Sequence, residues 1–328
     1  MSALLVTGAR GFIGSAVLRA LATAGNTPVI LAGRRSDGAA LAPGQRAITL
    51  DLLDPVLTLP QGVRTVLHLA GEKRDTTRMA GVNHDGALRL VEAAARAGVR
   101  RFVHLSSVGV YGAPWCAGLV DERHAHTPRN AYEASKHAGE LAVRDRCAAL
   151  GLSCMVLQPS NVLGLKPGHG WPLLGLARMV ARGWFRHVRT VDEAWVNYVA
   201  LDDVAAALLA AVQHEQAQGV YIVNTPVPLR TLVGWVASEL GAPAPTRVIP
   251  AWLAWAAAGA GAVGSALLRR ELPVSPSRVR ELINTTRYDG SALTRDLGFA
   301  YPVGIEQALR TLMQQYRRDG LVPGVKAA

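Results

Sequence analysis

Three glycines near the start of the chain stand between a short apolar run and a helical pattern, and this arrangement restricts the fold most strongly. The run Ala3–Thr7 is too short for a helix and is typical of a buried parallel strand. From Ile13 onward, apolar residues recur at intervals of three and four, as they do in a helix. Gly8 permits a tight turn, Gly11 lets the backbone approach a pyrophosphate, and Gly14 permits close packing of helix on strand. Since a helix N-terminus also favours phosphate, the segment predicts a dinucleotide-binding site.

The end of the second predicted strand indicates which dinucleotide is bound. An acidic side chain at this point would bind the ribose 2′-hydroxyl and repel a 2′-phosphate, but the chain has Arg34 and Arg35 there. Guanidinium groups pair well with phosphate. We therefore expect NADP to be the preferred cofactor, with NAD as the alternative.

A tyrosine and a lysine four residues apart, Tyr132 and Lys136, predict acid–base chemistry. Asn130 can cap a helix and Glu133 can close a capping box, which would place Tyr132 and Lys136 on one helix face. A phenol is a poor base at neutral pH, but a nearby ammonium and an oxidised nicotinamide ring favour the phenolate. Tyr132 can then exchange a proton with an alcohol or a ketone while a hydride moves.

A further apolar run, 101–105, is typical of a buried strand and ends in Ser106 and Ser107, shortly before a Tyr-Gly pair. Together with the Gly-x-x-Gly-x-x-Gly spacing and the Tyr-x-x-x-Lys pair, this strand end resembles the extended short-chain dehydrogenase/reductases, also called the NAD-dependent epimerase/dehydratase family. The resemblance extends over nearly the whole chain. It implies that Ser107, four residues before the Tyr-Gly pair, is the catalytic serine and holds the substrate oxygen beside Tyr132.

The resemblance also implies contacts with the cofactor and the substrate. In addition to the three glycines and the two arginines, the implied cofactor residues are Arg10, Phe12, Ile13, Asp51, Leu52, Leu69, Ala70, Gly71, Lys136 and Pro159. Lys136 would reach the nicotinamide ribose, and the Asp51 carboxylate would accept a hydrogen bond from the adenine amino group. Asn83 would support the site. The implied substrate residues are Ser107, Tyr132 and Asn161.

Alternating strands and helices predict an α/β fold of the Rossmann type, in which a doubly wound parallel sheet carries a smaller C-terminal substrate lobe. Residues 1–158 are expected to form the NAD(P)-binding domain, and 195–224 are expected to return to it. The remainder of 159–328 would form the substrate-binding lobe.

Charge and hydropathy limit the partners. The net charge is +11, but the arginines are scattered and no basic run alternates with aromatic residues, so we expect no nucleic-acid partner. The segment 248–268 is uncharged and long enough to span a bilayer, although alanine and glycine make it only mildly apolar. We expect it to pack as a helix, with contact to a membrane surface as the open alternative, which Arg269 and Arg270 would favour on anionic lipid.

The three cysteines do not cluster, which indicates a reducing cytoplasm and no metal site. A small-molecule substrate is the expected partner, and a homodimer is the assembly left open.

Departures from the family's motifs limit which of the family's reactions we expect this chain to catalyse. Sugar dehydratases of the family typically have Thr-Asp-Glu where this chain has Ser107, Val108 and Gly109, so 4,6-dehydration is not expected. Many of its nucleotide-sugar epimerases have an arginine at the position of Val196, and the lobe from Gly164 onward is rich in tryptophan and leucine. We expect hydride transfer at a secondary alcohol or ketone of a bulky apolar, sterol- or ketone-like compound, with a nucleotide-sugar 4-epimerase or reductase as the alternative. A non-catalytic cofactor-binding sensor is the third hypothesis, although such members usually lose the tyrosine or the lysine.

Overall fold

The computed structural model describes residues 3–24, 28–35, 41–112, 118–165, 170–268 and 275–323. Arg269 and Arg270 lie outside these ranges. The strands are Ala3–Thr7 (β1), Val29–Gly33 (β2), Gln45–Thr49 (β3), Val63–His68 (β4), Arg101–Leu105 (β5), Leu119–Val120 (β6), Ser153–Pro159 (β7), Asn161–Leu163 (β8), His187–Val188 (β9), Trp195–Ala200 (β10), Gly219–Val223 (β11), Thr225–Pro228 (β12), Val248–Ile249 (β13) and Arg287–Tyr288 (β14). The helices are Phe12–Ala24 (α1), Thr76–Ala80 (α2), Gly86–Arg96 (α3), Ala131–Ala149 (α4), Leu174–Ala181 (α5), Leu201–Gln213 (α6), Leu229–Leu240 (α7), Ala251–Leu268 (α8), Pro276–Leu282 (α9), Ser291–Leu297 (α10) and Gly304–Arg318 (α11). A π-helical turn, Gly81–Asp85, leads into α3, and a 3₁₀ turn, Val108–Tyr111, follows β5.

Seven parallel strands form the central sheet in the order β11-β7-β5-β4-β1-β2-β3. One face packs against α1 and α6, and the other packs against α3 and α4. Because both faces are covered, strands such as β1 are apolar and buried along most of their length, as the sequence pattern indicated. The predicted doubly wound α/β fold is therefore confirmed.

The order of the strands brings several loops to one edge of the sheet. The carboxyl ends of β1, β4, β5 and β7 all reach this edge, since neighbouring parallel strands run in the same direction. The chain leaves β1 through the glycine loop and leaves β5 through Ser106 and Ser107. In open α/β sheets, ligands bind outside the carboxyl ends of the strands, so this edge is where a site is expected.

The C-terminal lobe has its own small sheets and core. Strands β12, β10 and β8 form a three-stranded sheet, and α5, α7 and α11 enclose a separate hydrophobic core beside it. This arrangement differs from the expectation that 195–224 returns as a whole to the first domain. The strand Trp195–Ala200 hydrogen-bonds to β8 and β12 of the C-terminal lobe. The chain returns to the first domain with α6 and then with β11, which pairs with β7 at the edge of the central sheet.

The uncharged segment 248–268 forms β13 and α8. Strand β13 pairs with β9, and α8 packs against α9. Within the described parts of the chain, the search for a helix long and apolar enough to cross a membrane finds none.

Candidate active site

A cavity of about 1280 Å³ extends along the carboxyl edge of the sheet, between the sheet and the C-terminal lobe. Its wall contains most of the residues that the sequence singled out, namely Gly8, Arg10, Gly11, Phe12, Ile13, Gly14, Leu69, Gly71, Ser107, Tyr132, Lys136, Pro159 and Asn161. The other expected cofactor residues, Arg34, Arg35, Asp51, Leu52 and Ala70, lie outside this wall. The structure thus brings the proposed catalytic groups and the glycine loop to one cavity.

The glycine loop has the close packing that a dinucleotide site needs. Gly8 has a φ of +67°, and a Cβ atom built on it would lie 2.6 Å from the Ala70 nitrogen. A Cβ atom on Gly14 would lie 2.2 Å from the Gly8 oxygen, so any side chain there would force α1 away from the loop. The N–H of Gly11 donates to the Gly8 carbonyl over 2.8 Å, and α1 begins at the next residue. The bare backbone and the adjoining helix N-terminus fit the pyrophosphate of a dinucleotide.

The expected cofactor residues outside the cavity wall have other described contacts. The Leu52 side chain is only 6% exposed and packs in the core under α3, while its carbonyl accepts a hydrogen bond from Arg89 over 2.7 Å. The N–H of Ala70 donates to the Thr7 hydroxyl over 3.3 Å. The Asp51 carboxylate accepts a hydrogen bond from the Leu53 N–H over 3.1 Å and so shapes the turn after β3.

Arg34 and Arg35 follow the carboxyl end of β2 and are exposed. This position is where the 2′ substituent of the adenine ribose is recognised in folds of this type.

The first turn of α4 is held by its own capping residues. The Asn130 side chain accepts a hydrogen bond from the Glu133 N–H over 2.9 Å, as an N-cap does. The Glu133 carboxylate accepts from the Arg129 N–H over 2.7 Å, one residue earlier than the predicted capping box requires. Both bonds fix the start of the helix that carries Tyr132 and Lys136.

Asn83 connects this helix to the loop after β4. Its amide group donates to the Ser135 hydroxyl over 2.9 Å and to the Glu72 carbonyl over 2.8 Å, while its oxygen accepts from the Glu72 N–H over 2.7 Å. The Ser135 hydroxyl in turn donates to the Tyr132 carbonyl over 2.8 Å. The close approach of the two backbones is possible because residue 139 is glycine, where a Cβ atom would lie 2.0 Å from the backbone carbonyl oxygen of Asn83. Asn83 thereby supports the position of Tyr132.

The two serines after β5 face different partners. The Ser107 hydroxyl accepts from the Gly109 N–H over 3.1 Å and lies close enough to the Tyr132 phenol to lower the pKa of that phenol. The Ser106 hydroxyl is buried and donates to the Glu140 carboxylate over 2.6 Å. Ser107, rather than Ser106, therefore lies beside the phenol, which is the arrangement that the sequence resemblance implied.

Burial dominates the electrostatics of Tyr132 and Lys136. Burial raises the pKa of the Tyr132 phenol; the hydrogen bond with Ser107 lowers this pKa and the Glu133 charge raises it. Burial lowers the pKa of Lys136 to about 8, against an opposing effect of the Glu140 carboxylate, and the Lys136 Nζ donates to the Leu105 carbonyl over 2.6 Å. We expected the Lys136 ammonium to favour phenolate, but burial of the phenol is the larger effect. Tyr132 is therefore protonated at neutral pH.

Two buried histidines near Lys136 are not among the site residues that the sequence predicted. His68 and His104 are opposite each other on β4 and β5, with ring centroids 5.3 Å apart. Burial, followed by the Lys136 charge, lowers the pKa of His68 to about 3 and that of His104 well below its usual value. The Thr7 hydroxyl lies 2.7 Å from the His68 Nδ1. Both imidazoles are therefore neutral, and no cation is added next to Lys136.

A buried polar chain holds the one carboxylate that stabilises the Lys136 charge. Glu140 is fully buried and accepts hydrogen bonds from Ser106 and from the Gln158 amide, the latter over 2.9 Å. The Tyr111 phenol donates to the Gln158 oxygen over 2.7 Å. Such a network is hard to find from sequence because its members come from four separate segments.

The cavity continues into the C-terminal lobe, where its wall is mixed. The apolar and aromatic residues there are Leu163, Pro172, Leu173, Trp195, Val196, Tyr198 and Tyr288, and the polar ones include Arg129, Arg280, Glu281, Asn284 and Thr286. Leu173 has a φ of +60° and is the one non-glycine residue in the described ranges with a left-handed backbone. Such a conformation costs about 1–3 kcal/mol and is found mostly at functional sites. The Tyr316 phenol, which donates to the Pro172 carbonyl, helps to hold it.

No metal centre is found where the structure describes the chain: three or more His, Cys, Asp or Glu side chains do not converge in any group that could hold an ion.

Comparison with known proteins identifies the family. The model of the NAD-dependent epimerase/dehydratase family matches residues 4–224. The chain is 36% identical over 178 residues to UDP-glucose 4-epimerase of Azospirillum brasilense, covering 50% of each chain. It is 28% identical to sterol demethylase protein B of Methylococcus capsulatus, over 97% of this chain and 99% of that one. It is 27% identical to 2-alkyl-3-oxoalkanoate reductase of Shewanella oneidensis, over 94% of this chain and 84% of that one.

Solved structures share the fold over almost the full length. The structure of gox2253 has a TM-score of 0.73 at 24% identity and covers 98% of this chain and 100% of that one. MoeE5 in complex with UDP-glucose and NAD has a TM-score of 0.66 at 24% identity, over 97% of this chain and 99% of that one. RMD from Pseudomonas aeruginosa, complexed with NADPH, has a TM-score of 0.66 at 24% identity, over 97% of this chain and 100% of that one. The predicted family is confirmed by the match over residues 4–224: the chain belongs to the NAD-dependent epimerase/dehydratase family.

Proposed function

We propose that the protein transfers a hydride between NADP and a ketone or secondary alcohol of a bulky apolar compound, with Ser107, Tyr132 and Lys136 as the catalytic residues. The observation that carries the proposal is that these three side chains line the same cavity as the glycine loop. A bound dinucleotide would supply or accept the hydride.

The protein's own groups would position the substrate oxygen and provide its proton. Ser107 and Tyr132 line the same part of the cavity, so a substrate oxygen placed against both hydroxyls would accept a hydrogen bond from each. Because burial keeps the Tyr132 phenol protonated, it is ready to donate to a carbonyl oxygen that gains negative charge. The oxidation of an alcohol would first require the loss of this proton. The protonated phenol therefore suits the step in which a ketone gains a hydride and a proton.

The class of substrate is inferred from the far end of the cavity and from the relatives. The apolar Val196 lines the wall at the position where many nucleotide-sugar epimerases of the family have an arginine, and Trp195 and Tyr198 border it. Two relatives that match nearly the whole chain are named for a sterol and for an oxoalkanoate. These two observations favour an apolar ketone over a nucleotide sugar.

NADPH consumption by the purified protein tests the proposal. The assay compares steroid ketones and 2-alkyl-3-oxo acids with nucleotide sugars, and the Tyr132→Phe variant gives the background rate. We expect turnover with an apolar ketone that is lost in the variant. Turnover with nucleotide sugars alone would contradict the proposed substrate class but not the hydride-transfer site.

The alternative, a nucleotide-sugar epimerase or reductase, is supported by the similarity to UDP-glucose 4-epimerase of Azospirillum brasilense and by the cavity wall. Arg129 and Arg280 line the cavity on its substrate side, and guanidinium groups bind diphosphates well. UDP is the simplest test, since it has the charge of a nucleotide sugar without the sugar.

We expect calorimetry of the NADP-loaded protein to show no micromolar binding of UDP, because the apolar Val196 lines the wall where many nucleotide-sugar epimerases of the family have an arginine. The titration is made at low and at moderate salt, since screening weakens a diphosphate–arginine contact. Micromolar affinity that falls as salt rises, and that Arg129→Ala or Arg280→Ala reduces, would make the nucleotide-sugar enzyme the primary proposal.

We also expect NADPH to bind at least about tenfold more tightly than NADH, a difference of about 1.4 kcal/mol. The reason is that Arg34 and Arg35 are exposed at the end of β2, where a 2′-phosphate would lie. Fluorescence titration of both cofactors measures the ratio.

Replacing Arg34 and Arg35 together by alanine should bring the two affinities close to each other. Arg46→Ala is the matched control, because Arg46 is an exposed arginine on the neighbouring strand β3. Equal affinities in the unmodified protein, or a preference for NADH, would show that the arginines do not select the cofactor.

A further inference from the structure

The outer face of helix α8 is apolar from Trp252 to Ala262. We call the residues of this face the α8 surface: Trp252, Leu253, Ala256, Ala257, Gly259, Ala260 and Ala262. Trp252 is 70% exposed and Leu253 is 41% exposed. The whole helix has no charged residue, whereas a helix on the surface of a soluble domain normally has a charged or polar outer face.

The inner face of α8 already satisfies the packing of the fold. Ala254 and Ala258 are buried against Val188 and Val279, with Trp255 partly buried beside them. The α8 surface therefore contributes nothing to this core, and its apolar character needs another explanation.

Exposed arginines lie on the two elements that adjoin helix α8. Arg189 and Arg247 are exposed at the β9–β13 strand pair that leads into α8: the Arg189 N–H donates to the Ile249 carbonyl over 2.8 Å, and the Arg247 carbonyl accepts from the His187 N–H over 3.0 Å. Arg278 and Arg280 are exposed on α9, which packs against α8.

The charge of these neighbouring segments is positive overall. The described residues of segments 182–193 and 247–281 include six arginines, against three acidic residues, Asp192, Glu193 and Glu281. The region is thus apolar on the helix and basic around it.

We propose that the α8 surface binds the surface of an anionic lipid membrane. Trp252 and Leu253 would insert at the boundary between headgroups and acyl chains, where tryptophan is enriched. Arg189 and Arg247 would lie near the lipid phosphates. This proposal concerns the surface only and does not depend on the proposed reaction.

A second copy of the chain is a weaker candidate for this surface. A stable dimer usually buries about 800 Å² on each partner, but beyond Trp252 and Leu253 the α8 surface consists of alanine and glycine. Two such faces would also bring their arginines together, and like charges repel.

A bilayer does not require a large apolar contact area, because a shallow apolar helix can insert at its surface. Its anionic headgroups also attract the arginines instead of repelling them. Helix α9 also contributes Ser277, Arg280 and Glu281 to the cavity wall. Helix α9 therefore contacts both α8 and the cavity.

Co-sedimentation with vesicles tests the proposal on the full chain. Vesicles of phosphatidylcholine alone are compared with vesicles that contain about 30% phosphatidylserine. We expect binding to the anionic vesicles, weaker binding to the neutral ones, and a decrease as salt rises.

The double variant Trp252→Ser/Leu253→Ser should lower the partition coefficient about tenfold or more, since interfacial binding scales with the apolar area inserted. Leu150→Ser is the matched control: Leu150 is 38% exposed at the end of α4, and its replacement should leave partition unchanged.

The charge-reversal variant Arg189→Glu/Arg247→Glu provides a second test that leaves the α8 surface intact. It should weaken binding to the anionic vesicles about fivefold or more and change binding to the neutral ones little. Absence of vesicle binding by the unmodified protein, or binding by both double variants that is as tight as that of the unmodified protein, would overturn the proposal.

A concentration-dependent dimer in analytical ultracentrifugation that Trp252→Ser/Leu253→Ser dissociates would instead assign the surface to a second copy. NADPH consumption with a water-soluble ketone should be unchanged in all these variants, so this test fails or succeeds independently of the proposed function.

Discussion

Replacing Tyr132 by phenylalanine should lower turnover by about a hundredfold or more, because general acid–base catalysis contributes about 10²–10⁴-fold. The phenol borders the cavity beside Ser107, so it is the described group best placed to exchange a proton with a substrate oxygen. Phenylalanine keeps the ring and removes only the hydroxyl. NADPH affinity should change little, since the glycine loop and the N-terminus of α1 would hold the phosphates. Steady-state kinetics and fluorescence titration measure the two quantities separately.

Tyr198→Phe is the matched control for this variant. Tyr198 also lines the cavity, and burial raises its pKa to about 12, but it lies on β10 opposite Asn161, in the C-terminal lobe. Its replacement should alter the KM for the substrate and leave kcat within about threefold, because its hydroxyl is not the proton donor. A Tyr132→Phe protein that keeps more than about a tenth of the turnover would show that another group supplies the proton.

The sequence was sufficient for the parts of the site that lie on one continuous segment. The glycine loop could be predicted because a strand, a turn and a helix follow one another within a few residues. Tyr132 and Lys136 could be paired because a helix places residues four apart on one face. The fold class and the family that these motifs predicted are confirmed. The assignments of Ser107, Tyr132 and Lys136 as catalytic remain predictions that the geometry supports.

Features that depend on distant segments could not be predicted. Strand β10 precedes a helix that packs on the central sheet, and its sequence does not show that it pairs with β8 and β12 instead. The left-handed backbone of Leu173 is likewise invisible in sequence, because leucine has no preference for it and only tertiary contacts such as the Tyr316–Pro172 hydrogen bond can hold it.

The charge state of a site depends on burial even more than on neighbours in sequence. The spacing of Tyr132 and Lys136 suggests that an ammonium acts on a phenol. In the structure, Lys136 is almost completely buried, and it is surrounded by the neutral His68 and His104 and by the single carboxylate of Glu140. Burial of each side chain could be estimated only once the sheet and α4 were in place.

The burial of Lys136 leads to two expected effects of Lys136→Met. Turnover should fall, and the free energy of unfolding of the ligand-free protein should depend less on pH. The pKa of Lys136 is lowered from 10.5 to about 8, mainly by burial. Below about pH 8 the lysine is charged in both the folded and the unfolded state, and the folded state bears the full unfavourable effect of a buried charge. Between about 8 and 10.5 the unfolded chain still binds the proton that the folded protein has lost, so the free energy of unfolding rises with pH.

A shift of this size corresponds to about 3 kcal/mol across that interval. Methionine matches the length of lysine and has no charge, so the variant should lack this rise in stability, although the Leu105 carbonyl loses its hydrogen bond from Nζ. Lys73→Met is the matched control, because Lys73 is an exposed lysine at the same cavity wall and its replacement should leave the slope unchanged. Urea unfolding at several pH values between about 7 and 11 gives, for each protein, the slope of the free energy of unfolding against pH. An identical slope in Lys136→Met and in the unmodified protein would mean that Lys136 is not held as a destabilised cation. A lower turnover in the same variant would then have to come from the loss of a contact to cofactor or substrate, and not from its charge.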